Sequence, residues 1–189
     1  MAKFLGTILG FIRALPILIA YLVCKSILGQ MRAFSAASER IGRLPGFIGV
    51  YARQCFYKTL LSSVGVNVYF GFMSVFSKAQ ATVGDRVYIG RFCSIGWAEI
   101  GDDVMLADGV QILSGRHQHG QAGATGSVMR DNPQEFTKVT IGAGAWIGAG
   151  AIVMADVGPR AIVGAGAVVV KPVAADVKVG GVPAKPLGT

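Results

Sequence analysis

Val83-Gly84-Asp85-Arg86-Val87-Tyr88-Ile89-Gly90-Arg91-Phe92-Cys93-Ser94-Ile95-Gly96 puts an aliphatic residue at every sixth position, each followed by glycine. The beat runs on through Ile100, Leu106 and Ile112. It resumes at Ile141, Ile147 and Val153 and closes at Val163 and Val169. The next residue is usually small, as at Gly101, Ala107, Gly142, Gly148 and Gly164. A period of six fits neither an amphipathic helix nor a single alternating strand. It is a solenoid period, in which each hexad makes one short strand and one tight turn. The aliphatic side chain faces inward, and the small residue lets the chain turn a corner without a clash. The expected fold is all-β, a parallel β-helix of hexapeptide repeats.

The beat fails once. Between Ile112 and Ile141 lies a stretch, 118–140, rich in Gly, Gln, Asp and Asn and containing Pro133. A long excursion from a solenoid is costly unless it has a use. Both histidines of the chain, His117 and His119, stand at its start.

Outside the repeat the composition changes. Charged residues make up only 15% of the chain, yet the net charge is +8. Residues 1–60 hold eight basic side chains (Lys3, Arg13, Lys25, Arg32, Arg40, Arg43, Arg53 and Lys58) against Glu39, a net +7. The repeat region is therefore almost neutral. Phe4–Ile12 and Ala14–Cys24 are apolar runs separated by Arg13, with Pro16 close behind. Neither reaches the roughly 20 residues that span a bilayer, and no small-residue cleavage site follows as in a signal peptide. The expectation is one or two helices lying in or dipping into a membrane surface, with basic residues towards anionic head groups. Basic and aromatic residues also interleave in a nucleic-acid-binding surface. The apolar density of residues 4–28 excludes that class. The same helices could also pack on the end of the β-helix.

The domain reading is a helical arm, 1–63, and a β-helix, 64–189. Cys24, Cys55 and Cys93 are odd in number and lack paired or metal-like spacing, which implies reduced thiols in the cytoplasm. Cys93 falls within the repeat, as a small core or corner residue.

The run Ile100-Gly101-Asp102-Asp103-Val104-Met105-Leu106-Ala107-Asp108-Gly109-Val110-Gln111-Ile112-Leu113-Ser114-Gly115-Arg116-His117 closely resembles the matching run of the maltose and galactoside O-acetyltransferases. These belong to the hexapeptide-repeat acyltransferases, whose fold is a left-handed parallel β-helix. The resemblance covers residues 64–187 and places the family's catalytic base on His117. The chemistry needs such a group. An alcohol must lose its proton as it attacks a thioester, and imidazole is suited to accept it near neutral pH. That branch follows its histidine with Pro and soon after Asp. Here Gln118, His119 and Gly120 follow, so His119 is a rival base. Asp108, Asp131 and Glu135 are candidates to orient it.

Trp146-Ile147-Gly148-Ala149-Gly150-Ala151 and Val163-Gly164-Ala165-Gly166-Ala167-Val168-Val169-Val170-Lys171 resemble the family's coenzyme A segments. The resemblance implies that the N–H groups of Ala149 and Ala165 bond the pantetheine arm. It also implies that Lys171 lies near the nucleotide. In the closing run Gly180-Gly181-Val182-Pro183-Ala184-Lys185-Pro186, Lys185 would meet a phosphate as a point charge. Two histidines one residue apart, with no cysteine nearby, do not supply a three-ligand zinc site, so no metal is expected.

The resemblance thus implies an acyl-CoA-dependent, membrane-associated O-acetyltransferase, with acetyl-CoA held between the β-helices of a homotrimer. The acceptor would be a sugar hydroxyl on a lipid-linked glycan or glycolipid, as in polysaccharide biosynthesis. The site would be the cytoplasmic face of a bacterial inner membrane, peripheral or monotopic. An N-acyltransferase acting on an amino sugar and a non-catalytic membrane scaffold are the alternatives.

Overall fold

A computed structural model describes residues 2–115 and 136–188, with side chains from Phe4 onward. Strands of two or three residues stack into three sheets of four, seven and five strands, all parallel but for the last, Lys185–Pro186, and these form the faces of a prism. Tyr88 lies beside Met105, Met105 beside Trp146 and Trp146 beside Ile162. Successive turns therefore take 17, 41 and 16 residues, and the long step contains the excursion.

The hexad anchors are the inward column of each face. Phe70, Ile89, Leu106, Ile147, Val163 and Val179 stack on one. Phe76, Ile95, Ile112, Val153 and Val169 stack on the second, and Val83, Ile100 and Ile141 on the third. All are buried. Each such burial is worth about 1.5–3 kcal/mol, so the column is the main source of stability. Where the repeat is short, between Val153 and Val163, Val157 bridges Ile141 and Val173 and keeps the third face continuous.

Side chains of the next turn cap the corners. Asp102 Oδ1 accepts from the Asp85 N–H at 2.8 Å, Asp108 Oδ1 from Arg91 N–H at 2.7 Å, and Asp156 Oδ1 from Thr140 N–H at 2.7 Å. Ser114 Oγ does the same for Trp97 N–H at 2.8 Å. Asp102 and Asp108 thus satisfy corner donors, and Asp156 satisfies the N–H of the middle residue of strand Val139–Ile141. Cys93 is buried in the core, and burial pushes its thiol up to about 11. It is expected to resist iodoacetamide at about pH 8 in the folded protein and to react once the protein is denatured. Mass analysis of the alkylated chain checks this, and labelling of Cys93 in the native state would count against the packed core.

Three helices precede the β-helix: α1, Ala2–Leu28; α2, Gln30–Gly42; and α3, Gly46–Leu60. Of the one or two helices expected from the two apolar runs, the structure has one, which passes through Arg13 and Pro16. The reason is the buried stripe Gly10, Ala14, Leu18 and Tyr21, at helical spacing. Arg13 and Pro16 lie off that stripe and are exposed. Contact at Gly10 is close: a Cβ there would lie 2.6 Å from the Tyr51 Cβ. Only glycine lets α1 approach α3 this way.

Helices α2 and α3 close the open end of the β-helix. An uncovered first turn would present a row of unpaired backbone groups. Ser38 Oγ accepts from Phe76 N–H at 2.9 Å and bonds Tyr57 Oη at 2.9 Å, while Tyr57 Oη donates to Ser74 O at 3.1 Å. Gln54 Nε2 donates to Val68 O at 2.7 Å, and Arg53 Nε to Phe70 O at 3.0 Å. The Tyr57 ring packs 4.8 Å from Phe70 and 4.9 Å from Phe76, centroid to centroid. Arg53, expected among the cations facing head groups, is instead buried in this cap.

Candidate functional site

The corner that follows the seven-stranded face brings two of the expected donor-site residues together. Gly148-Ala149-Gly150 and Gly164-Ala165-Gly166 turn there one above the other, with Gly166 N–H donating to Ala149 O at 2.8 Å. Gly150 and Gly166 have φ of 68° and 67°, a left-handed conformation that suits glycine. On this column the aspartates stop at Asp108, and alanine takes the place of the cap. The N–H groups of Ala149 and Ala165 consequently donate to no acceptor among the described residues. Both alanines are exposed, and a Cβ on Gly150 or Gly166 would meet nothing within 4 Å. The result is two free donors at an exposed corner, about 4.8 Å apart, the spacing of paired strands. They can hold successive carbonyl oxygens of an extended ligand.

Trp146 stands outward on the adjoining face, in register with Met105 and Ile162, and is exposed. Tyr88 and Met105 are exposed in the same column, and Tyr69 stacks on Tyr88 at 5.0 Å. Lys185 joins this edge from the C-terminal side. Its strand pairs antiparallel with Gly180, in the turn stacked on Gly164. Lys171 does not join it. It is exposed at the next corner, after strand Val168–Val169. Within one chain Lys171 and Lys185 thus flank the second, five-stranded face from different corners.

His117 and His119, the candidate bases, lie outside the described residues, as do Asp131 and Glu135. The base of the excursion is defined, since Thr137 N–H donates to Ser114 O at 3.0 Å. Asp108 is committed elsewhere: it accepts from the Arg91 N–H and pairs with the Arg91 guanidinium at 3.0 Å. It is a corner cap.

One feature beside the excursion was not legible in the sequence. A cavity of about 280 Å³ lies between α2 and the β-helix, lined by Met31, Phe34, Lys78, Trp97 and Phe136 among others. Lys78 Nζ sits 3.3 Å from the centroid of the Phe136 ring. These residues come from four separate segments. The only hint in the sequence was bulk at Trp97 and Phe136, either side of the interruption.

No protein-family model matches the sequence, and no curated protein matches it. Solved structures do. A maltose O-acetyltransferase from Clostridium difficile 630 superposes with a TM-score of 0.70 at 22% identity, over 85% of this chain and 86% of that one. A galactoside acetyltransferase in complex with coenzyme A gives 0.70 at 21%, over 86% and 83%. A hexapeptide-repeat acetyltransferase from Vibrio cholerae O1 biovar eltor, complexed with acetyl coenzyme A, gives 0.70 at 18%, over 87% and 91%. The chain therefore has the β-helix fold of these acetyltransferases.

Proposed function

We propose that this protein is a membrane-associated O-acyltransferase that moves an acetyl group from acetyl-CoA to a sugar hydroxyl on a lipid-linked glycan or glycolipid. The observation that carries the reading is the pair of free N–H groups at Ala149 and Ala165, on a corner flanked by Trp146 and Lys185. The pantetheine arm carries two amide carbonyls for such donors, and Trp146 offers it an apolar wall. Lys185 and Lys171 supply point charges for phosphates. The half-exposed column of Tyr88, Met105 and Trp146 suits a second β-helix packed alongside, so the donor groove is shared in a homotrimer.

His117 accepts the proton of the acceptor hydroxyl as its oxygen attacks the thioester carbonyl. A backbone N–H stabilises the tetrahedral oxyanion. Collapse breaks the C–S bond, and the coenzyme A thiolate takes the proton back from the imidazolium. The membrane part of the reading is supported by α1. Its outward face exposes Phe4, Ile8, Ile12, Leu22 and Ile27, and Phe4–Leu28 is apolar enough in length and composition to cross a bilayer. The cavity at the root of the excursion opens beside α2, which suits an acceptor delivered from that side. The working location is the cytoplasmic face of the inner membrane.

The test removes the donors one at a time. Pro159 already occupies the equivalent corner position ahead of Arg160, whose φ is 55°, so this β-helix accepts proline there. Ala149→Pro and Ala165→Pro each delete one N–H and should weaken acyl-CoA binding about tenfold, the value of one lost hydrogen bond. Thermal stability should hold. Unchanged affinity in both variants would remove the donor site from this corner, and a chain that binds no coenzyme A at all is a scaffold. Mild alkali then identifies the product, since it cleaves the ester of a hydroxyl acceptor and spares the amide of an amino sugar.

A further inference from the structure

A second, larger cavity lies away from the donor corner. It measures about 630 Å³ and sits between α3 and the first turn of the β-helix, with Thr7 of α1 at its margin. Its walls are mainly apolar, with Phe47, Val50, Val64 and Phe72 contributing, and no carboxylate lines it. Two cations do: Lys58, which is exposed, and Arg53, which is only 1% exposed.

Arg53 is the unusual group. Nε donates to Phe70 O at 3.0 Å, and Nη1 to Leu44 O at 2.7 Å and Gly42 O at 3.4 Å. Nη2 has no acceptor among the described residues. The ion pairs found there join Arg86, Arg91, Lys138 and Arg160 to acids, and Arg53 is in none of them. Three carbonyls offset part of the cost of burying a guanidinium, but dipoles do not cancel its charge. An anion at Nη2 would, and a guanidinium edge suits phosphate oxygens. Free phosphate would leave most of the cavity empty and its apolar walls wet. The occupant that matches charge, volume and walls together is an amphiphile with a phosphate head.

We propose that this groove holds an acidic phospholipid of the bilayer, its phosphate between Arg53 and Lys58 and its apolar part along Phe47, Val50 and Phe72. The bound lipid would set how the β-helix stands on the membrane. The proposal rests on the membrane reading above, and the groove lies beside the exposed apolar face of α1 that supports it.

The full-length chain in mild detergent is offered phosphatidylglycerol and phosphatidylcholine, and retained lipid is counted by native mass spectrometry. Vesicles with and without phosphatidylglycerol test membrane association by flotation. Arg53 also caps the β-helix, so the variants spare it: Lys58→Glu reverses the charge at the mouth, and Val50→Trp fills the volume. The wild type should retain phosphatidylglycerol over phosphatidylcholine by about tenfold, the value of one charge-assisted contact. Each variant should lose that preference with an unchanged melting temperature. Equal retention of the two lipids by the wild type overturns the proposal. So does undiminished preference in both variants, or a change of oligomer mass in Val50→Trp, which would assign the groove to a second copy. Wild type that prefers phosphatidylglycerol in detergent but floats with neither vesicle supports the groove and sinks the membrane reading. Wild type that floats without any lipid preference does the reverse.

Discussion

His117→Ala is expected to lower kcat by roughly 10²–10⁴ while leaving acyl-CoA affinity nearly unchanged. The two effects separate because base and donor site belong to different parts of the chain. Ala149, Ala165 and Lys185 hold their places through β-helix pairings that do not involve the excursion. The proposed base instead follows Gly115 by two positions in the sequence, just past the point where Ser114 O anchors the returning strand through the Thr137 N–H. Loss of imidazole removes proton acceptance from the transition state and takes no contact from the bound thioester. His119→Ala should be milder. Stopped-flow or coupled assays give kcat, and equilibrium titration gives the affinity. If His119→Ala abolishes turnover and His117→Ala does not, the roles are reversed. A parallel loss of affinity in His117→Ala would instead mean that the excursion folds over the donor.

The period of six was readable because it is a steric demand. Each face needs a buried branched side chain at one place per strand, and Val83, Ile89, Ile95 and their successors through Val169 all meet it. The first turn is harder to read because its inward residues include Phe70 and Phe76. They are large because the core there meets Tyr57 of the cap, which itself packs on Phe56, a contact made across the sequence. The same non-locality hid the role of Arg53. As a letter it is one more cation in a basic segment, and only the carbonyls of Phe70, Leu44 and Gly42 show that it is a capping group. In α1, Arg13 and Pro16 looked like a break. The stripe at Gly10, Ala14, Leu18 and Tyr21 was present in the sequence but is formed of small and mixed residues, so a count of apolar runs passes over it. The resemblance singled out Ala149 and Ala165, and the structure stacks them at one corner. The free state of their N–H groups follows from the missing aspartate above each, which is itself a pattern in the sequence once the caps at Asp102, Asp108 and Asp156 are known.

Two truncations should part the anchoring role of the helices from the capping role, and the contrast between them is large. Removing residues 1–28 takes away α1 with its exposed Phe4, Ile8, Ile12, Leu22 and Ile27 and leaves α2 and α3 on the first turn. Immersing one large apolar side chain is worth about 1.5–3 kcal/mol, against about 1 kcal/mol for a basic residue near an anionic surface. Most of the binding energy is therefore apolar and leaves with α1. The truncated protein should move largely to the soluble fraction and lose activity on a lipid-linked acceptor, yet keep activity on a small soluble sugar. Salt alone should not strip the full-length chain, because screening removes only the electrostatic part. Removing residues 1–60 is a different experiment. It leaves Phe76 N–H without Ser38, the carbonyls of Val68, Phe70 and Ser74 without Gln54, Arg53 and Tyr57, and the Phe70 and Phe76 rings bare. Each unsatisfied backbone group costs about 1–3 kcal/mol if it stays buried, and an open parallel edge recruits other chains. That protein should aggregate and show no activity on either acceptor. Flotation on anionic and neutral vesicles, with and without salt, and size-exclusion chromatography of both truncations read the outcome. Should the full-length chain stay soluble without detergent and ignore both kinds of vesicle, α1 would be a packing or oligomer element. The lipid-linked acceptor would then lose its main support, while the capping argument would still stand or fall on the second truncation.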